Sequence, residues 1–136
     1  MAAEKDYTCS VEFTVRDYEC DSQGVVNNAN YLHYLEHARY EFLDSKGIDL
    51  TLLHNEGIDF VVSKAEIEYK SPLRSRNTFV VRIYVVKEGN IRMVFHQDIF
   101  KHPDEKLVVK AKVTIIAVKN GKPIRPGHIF ELIGIN

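Results

Sequence analysis

Only one stretch of this chain carries a long helical pattern, and almost everything after Ile58 alternates as strand. Tyr31, Leu35, Ala38 and Phe42 recur at helical spacing with Tyr34 beside them. Asn27 or Asn28 can cap the start with a side-chain oxygen, and Gly47 is a natural stop. One helix must therefore cover a whole sheet. The order of one strand, one long helix and four strands predicts an α+β fold, a five-stranded antiparallel sheet around a single central helix.

The strands follow from period-two alternation. Val11, Phe13 and Val15 alternate with Glu12, Thr14 and Arg16, which predicts a first strand from about Tyr7 to Arg16. A short helical turn over Leu50–Glu56 is closed by Gly57. Phe60 and Val62 then share one parity, whereas Ala65, Ile67 and Tyr69 take the other, so a bulge or bend is expected near Ser63 and Lys64. Three strands at Thr78–Glu88, Ile91–Lys101 and Lys106–Lys119, with turns at "EGN", "HPDE" and "NGKP", predict an antiparallel meander. The stretch "FVVRIYVV" is apolar on both parities. With the helix on one face, Val80, Tyr84 and Val86 are expected to meet a second copy of the chain.

At 136 residues and 45% hydrophobic content, the chain 1–136 reads as a single domain with a sizeable core. Its 18 basic against 19 acidic residues, a formal net charge of -1, give no overall field toward nucleic acid or an anionic membrane. The N-terminal "MAAEKDYTCS" lacks the apolar run of a leader, no segment has the apolar length of a membrane span, and a cytoplasmic location is expected. Cys9 and Cys20 sit in no CxxC motif and read as reduced thiols.

The segment "DYECDSQGVVNNANYLHYLEHARYEFL" resembles the hotdog-fold acyl-CoA thioesterases of the 4-hydroxybenzoyl-CoA thioesterase family. The shared pattern is an aspartate, a short spacer with Gly-Val-Val, an Asn-Tyr pair and Glu-x-Ala-Arg on the helix. "FVVSKAEIEYKSPLRSRN" is similar to that family's first long strand with its Tyr-x-x-Pro exit, and the likeness covers nearly the whole chain. It implies a sheet wrapped round the helix, dimers joined edge to edge and often paired into tetramers, and sites at the dimer interface. It also implies an acyl-CoA substrate, with coenzyme A as part of that substrate and no cofactor or metal.

On this resemblance Asp21 is the catalytic carboxylate, acting either as a nucleophile or as a general base for water. Helix-start amides near Asn28 are the expected oxyanion donors. Gly24 lets backbone approach the ligand without a Cβ, and Val25 and Tyr31 complete the expected substrate contacts. Many relatives have an aromatic-His pair where this chain has Asn27-Asn28, which leaves the backbone role intact. Among Arg74, Arg76, Lys87 and Arg92, the preferred contacts to coenzyme A phosphates are Arg76 and Arg92. His33, Glu36 and His37 spell an H-x-x-E-H string, but a catalytic zinc needs a third protein ligand, and polar helix positions explain these residues better. Glu36 and Arg39 form the spacing of an i, i+3 pair, and Cys20 reads as a packed thiol. Two other functions use the same pocket: an acyl-[acyl-carrier-protein] thioesterase and a non-catalytic acyl-CoA binding module.

Overall fold

A computed structural model describes residues 6–135, so the first five residues of the N-terminal stretch read above lie outside the described residues. β1 (Cys9–Thr14) leads through a 3-10 turn into α1 (Asn28–Ser45) and the short α2 (Leu50–Asn55). Then come β2 (Ile58–Tyr69), β3 (Thr78–Glu88), β4 (Arg92–Lys101), β5 (Lys106–Lys119), the short β6 (Lys122–Ile124) and α3 (Gly127–Ile133). The sheet is antiparallel in the order β1-β3-β4-β5-β2, with β6 added to β5.

The expected long helix, its Asn27 cap, the Leu50 helical turn and the three-strand meander are all present. Lys46 caps α1 and Gly47 follows at φ +77, a left-handed conformation in which glycine carries no Cβ penalty. The parity switch is a bulge between Val62 and Lys64. It rotates the end of β2 so that Ala65, Ile67 and Tyr69 face the same side as Phe60 and Val62. β1 is shorter at both ends than expected.

The core lies between α1 and one face of the sheet. Leu35, Ala38 and Phe42 from the helix meet Phe79, Val81, Ile83, Met93, Phe95 and Ile99, all almost fully buried. Phe42 packs edge-on to Phe95 at 5.8 Å, and Phe13 stacks on Phe79 at 5.0 Å. α1 does not cover this face alone. α3 buries Ile129, Phe130 and Ile133 in the same core, and Lys87 sits 5.2 Å from the Phe130 ring at the far end of β3.

The other sheet face is less open than the sequence implies. Val80 is only 1% exposed and Tyr84 is half-buried, while Val86 is 40% exposed. Tyr7 packs its ring against Tyr84 and Phe100 and donates a 2.6 Å hydrogen bond to Asp98 Oδ2. Arg82 lies over Phe100 and pairs with Glu105 at 2.6 Å. Aromatic and ionic side chains of the chain itself thus cover much of the parity assigned above to a second copy. β2 is a twelve-residue strand at the sheet edge with Val61, Val62 and Tyr69 exposed.

Candidate active site

Residues 17–27 fold into a miniature hairpin. Cys20 bridges Val26, the Asp21 N–H donates to the Val25 carbonyl at 2.8 Å, and the Asn27 N–H donates to the Glu19 carbonyl at 3.0 Å. The tip closes when the Gly24 N–H, at φ +79, donates to the Asp21 carbonyl at 3.0 Å. Asp21 Oδ1 accepts the Gln23 amide at 2.8 Å and the Val25 amide at 3.4 Å, so the loop backbone is organised around this carboxylate. Asp21 itself is exposed, and its second oxygen has no hydrogen-bond partner among the described residues.

The hairpin is fastened to the start of α1. Asn27 Oδ1 accepts the Ala29 amide at 2.9 Å, and the Asn28 amide has no acceptor among the described residues. Free amides at a helix start carry the positive end of the helix dipole. Glu19 is the fastening residue. Its carbonyl accepts the Asn27 amide and the Asn30 side chain, and its Oε1 accepts the Arg16 amide at 2.8 Å and the Tyr34 hydroxyl at 2.7 Å. Burial, with the Glu19 carboxylate beside it, pushes the Tyr34 hydroxyl far above the usual phenol range. Tyr34→Phe is expected to cost about 1 kcal/mol of stability and to lower kcat more than it raises KM. Thermal unfolding and steady-state kinetics check both.

The sheet side holds the hairpin as well. The Val26 N–H donates to the Leu73 carbonyl at 2.8 Å, Val25 bridges Arg74, and the Leu73 N–H donates to the Tyr31 hydroxyl at 3.1 Å. Ser75 donates to Asp17, whose other oxygen lies 3.7 Å from Arg76; these contacts hold the Asp17 carboxyl below its usual range.

Asp21, Gly24 and Val25 are therefore brought together in the hairpin, which runs on into Asn28 at the helix start, with Arg76 at the hairpin's base. Two residues fall elsewhere. Tyr31 is only 3% exposed; its hydroxyl is engaged by Leu73 and its ring by Tyr34 and Tyr69, so it supports the loop from behind. Arg92 begins β4 opposite Glu88, at the other end of β3 from Thr78 and the hairpin. Ten residue steps of strand put it about 33 Å away along the sheet, so Arg76 and Arg92 are not a pair within one chain.

Glu36 and Arg39 are not paired either, since Glu36 accepts the Tyr40 hydroxyl at 3.1 Å and Arg39 donates to Gln97 at 3.1 Å. His33 is exposed, His37 lies 3.9 Å from Glu41, and among the described residues no three His, Cys, Asp or Glu side chains are gathered as for a metal. Cys20 is half-buried against the core as a free thiol. Glu19 escaped the sequence reading because its role rests on a carbonyl and a partner fifteen residues away.

A family model described as the thioesterase-like superfamily matches residues 15–127. The chain belongs to that superfamily. Among its relatives, the chloroplastic acyl-acyl carrier protein thioesterase ATL2 of Arabidopsis thaliana is 38% identical over 91% of this chain and 67% of that protein. A second plant relative, ATL3, is matched over 61% of its length, so the chain spans about two thirds of these plant proteins. The acyl-CoA thioesterase YbgC of Haemophilus influenzae is 31% identical over 81% of this chain and 82% of that protein. A solved structure from Aquifex aeolicus superposes with a TM-score of 0.86 at 33% identity, covering 92% of this chain and 98% of that one. The expected hotdog fold and membership of a thioester hydrolase family are both borne out. No helix among the described residues is long and apolar enough to cross a membrane.

Proposed function

We propose that this thioesterase-superfamily chain hydrolyses acyl-CoA thioesters to the free acid and coenzyme A at the Asp21 hairpin. The observation that carries the reading is an exposed carboxylate locked, through Val25 and Asn27, to a helix start whose Asn28 amide is unengaged. The thioester carbonyl oxygen takes the Asn28 amide, which stabilises the negative charge that develops there. Asp21 either removes a proton from a water attacking the carbonyl carbon, or attacks that carbon itself to give a mixed anhydride that water then opens. In both routes the C–S bond breaks and the coenzyme A thiolate leaves to be protonated. Gly24 gives the ligand close access to the loop backbone, and Arg76 is placed for a phosphate of coenzyme A.

Likeness to ATL2 favours a second reading, in which the same hairpin acts on an acyl chain borne by a carrier protein. Thiol release from matched acyl-CoA and acyl-carrier-protein substrates separates the two, the first reading requiring the higher kcat/KM on coenzyme A. Turnover of neither substrate would leave only a binding module. The chemistry assigned to Asp21 and Asn28 uses no metal or cofactor, so activity is expected to survive exhaustive EDTA treatment. Loss of activity reversed by zinc would overturn the assignment.

The chain is further proposed to act as a homodimer, or as a tetramer made of two such dimers, joined along the β2 edge and with its sites at the joint. β2 offers an unpaired ladder flanked by exposed Val61 and Val62. Light scattering is expected to show at least a dimer, and Val61→Lys combined with Val62→Lys to shift it toward monomer with loss of activity. A fully active wild-type monomer would contradict this.

A further inference from the structure

α1 does not lie centrally on its sheet. It packs most closely against β1 and β3, and a groove remains along its other flank, between the helix and the edge strand β2. Two adjoining cavities of about 250 and 220 Å³ make up this groove. The first is bounded by Leu32, His33 and Ala65, the second by Leu43, Phe60 and Phe95, and both share Glu36, Arg39 and Val62. The ring contact of Tyr31 with Tyr69, at 5.5 Å, sets the start of α1 beside the end of β2. The groove therefore begins at the Asp21 end of the helix and runs away from it. Arg39, eleven residues after Asn28, lies about 16 Å down this path by helix rise.

Arg39 is the buried cation of that groove. It is only 9% exposed, and its one hydrogen bond among the described residues is from Nη1 to Gln97 Oε1 at 3.1 Å. Gln97 is fully buried and its Nε2 donates to the Leu35 carbonyl at 2.9 Å, which fixes the amide with its oxygen toward Arg39. Among the described residues no carboxylate lies within 4 Å of the guanidinium, and Glu36, one turn back on the same wall, is engaged by Tyr40. A guanidinium has five N–H donors, and a buried cation held by one neutral partner is costly unless further acceptors reach it.

We propose that this groove is the acyl subsite and that Arg39 makes it selective for acyl groups bearing a hydroxyl or oxo oxygen on their distal part. The inference rests on the hydrolase reading above. Leu32, Ala65 and Val113, between the helix start and Arg39, suit the hydrocarbon, and the remaining Arg39 donors supply the polar stop. The incoming group is a neutral acceptor rather than a carboxylate, because the Glu36 carboxylate lines the same groove and would repel an anion.

The test compares ω-hydroxyacyl-CoA, unsubstituted acyl-CoA and ω-carboxyacyl-CoA substrates over a series of chain lengths. At the length that reaches Arg39, the hydroxyl compound is expected to exceed the other two in kcat/KM by about tenfold or more. Arg39→Met should bring the ratio of kcat/KM between hydroxyl and unsubstituted substrates close to one, and Arg39→Lys should restore part of the preference. Equal wild-type rates for hydroxyl and unsubstituted substrates at every length overturn the proposal, with no variant needed. So does equal loss on both in Arg39→Met. If no acyl-CoA is hydrolysed, the hydrolase reading fails separately. Calorimetry with free ω-hydroxy and plain fatty acids then decides the groove: tighter binding of the hydroxy acid supports it, equal binding overturns it.

Discussion

Asp21→Asn is expected to lower kcat by about 10²–10⁴-fold while leaving the fold, and most of the substrate affinity, unchanged. The substitution is well matched to the geometry. An asparagine Oδ1 still accepts the Gln23 and Val25 amides that organise the hairpin, so the loop keeps its shape and only the negative charge is lost. An amide neither takes a proton from water nor attacks a thioester at a useful rate, so both routes assigned to Asp21 fail together. The comparison with neighbouring carboxylates is informative. Asp17 is tied to Ser75 and Arg76 at the hairpin's outer edge, and its removal should matter little. Glu19 fastens the hairpin to α1, and its replacement should reduce kcat through misplacement of Asp21. Near wild-type kcat in folded Asp21→Asn protein would remove Asp21 from the mechanism.

Phe79→Ala is expected to destabilise the chain by about 3–5 kcal/mol, a large part of the stability typical of a small domain. Phe79 is fully buried, stacked on Phe13 at 5.0 Å and 4.8 Å from the Tyr34 ring. Truncation leaves a cavity behind the tyrosine that carries the Glu19 hydrogen bond, so the site is affected along with the core. Denaturant titration should show the midpoint fall with little change in slope. Phe79→Leu, which refills most of the volume, should recover much of the loss. A cost below about 1 kcal/mol for Phe79→Ala would mean that the Phe13–Phe79–Tyr34 cluster does not support the hairpin as described.

What was legible in the sequence was what local rules specify. The spacing of Tyr31, Leu35, Ala38 and Phe42 wrote α1, Asn27 and Gly47 wrote its ends, and the parity switch wrote the bulge at Ser63. The candidate site was legible for the same reason, because Asp21, Gly24 and Asn28 lie on one continuous stretch. Pairing between distant segments was not. That β2 leaves α2 and pairs with β5 at the far edge depends on the global sheet order, and only that order shows Arg92 at the wrong end of β3 for Asp21. Tyr31 sits on the helical stripe that is the core, and its proximity to the motif drew it into the site. α3 lies beyond the last expected strand, where Ile129, Phe130 and Ile133 hold helical spacing before Gly134 over only seven residues.

The central claim is that a thioester carbonyl sits between the Asp21 carboxylate and the Asn28 amide. A crystal structure with an acyl-CoA ketone analogue, in which methylene replaces the thioester sulfur, measures this directly, since the carbonyl is kept and cannot be hydrolysed. The account predicts the ketone oxygen within hydrogen-bond distance of the Asn28 N–H, and the Asp21 carboxylate, or a water held by it, against the carbonyl carbon. A ketone bound away from the hairpin, with Asp21 still facing open solvent, would contradict it.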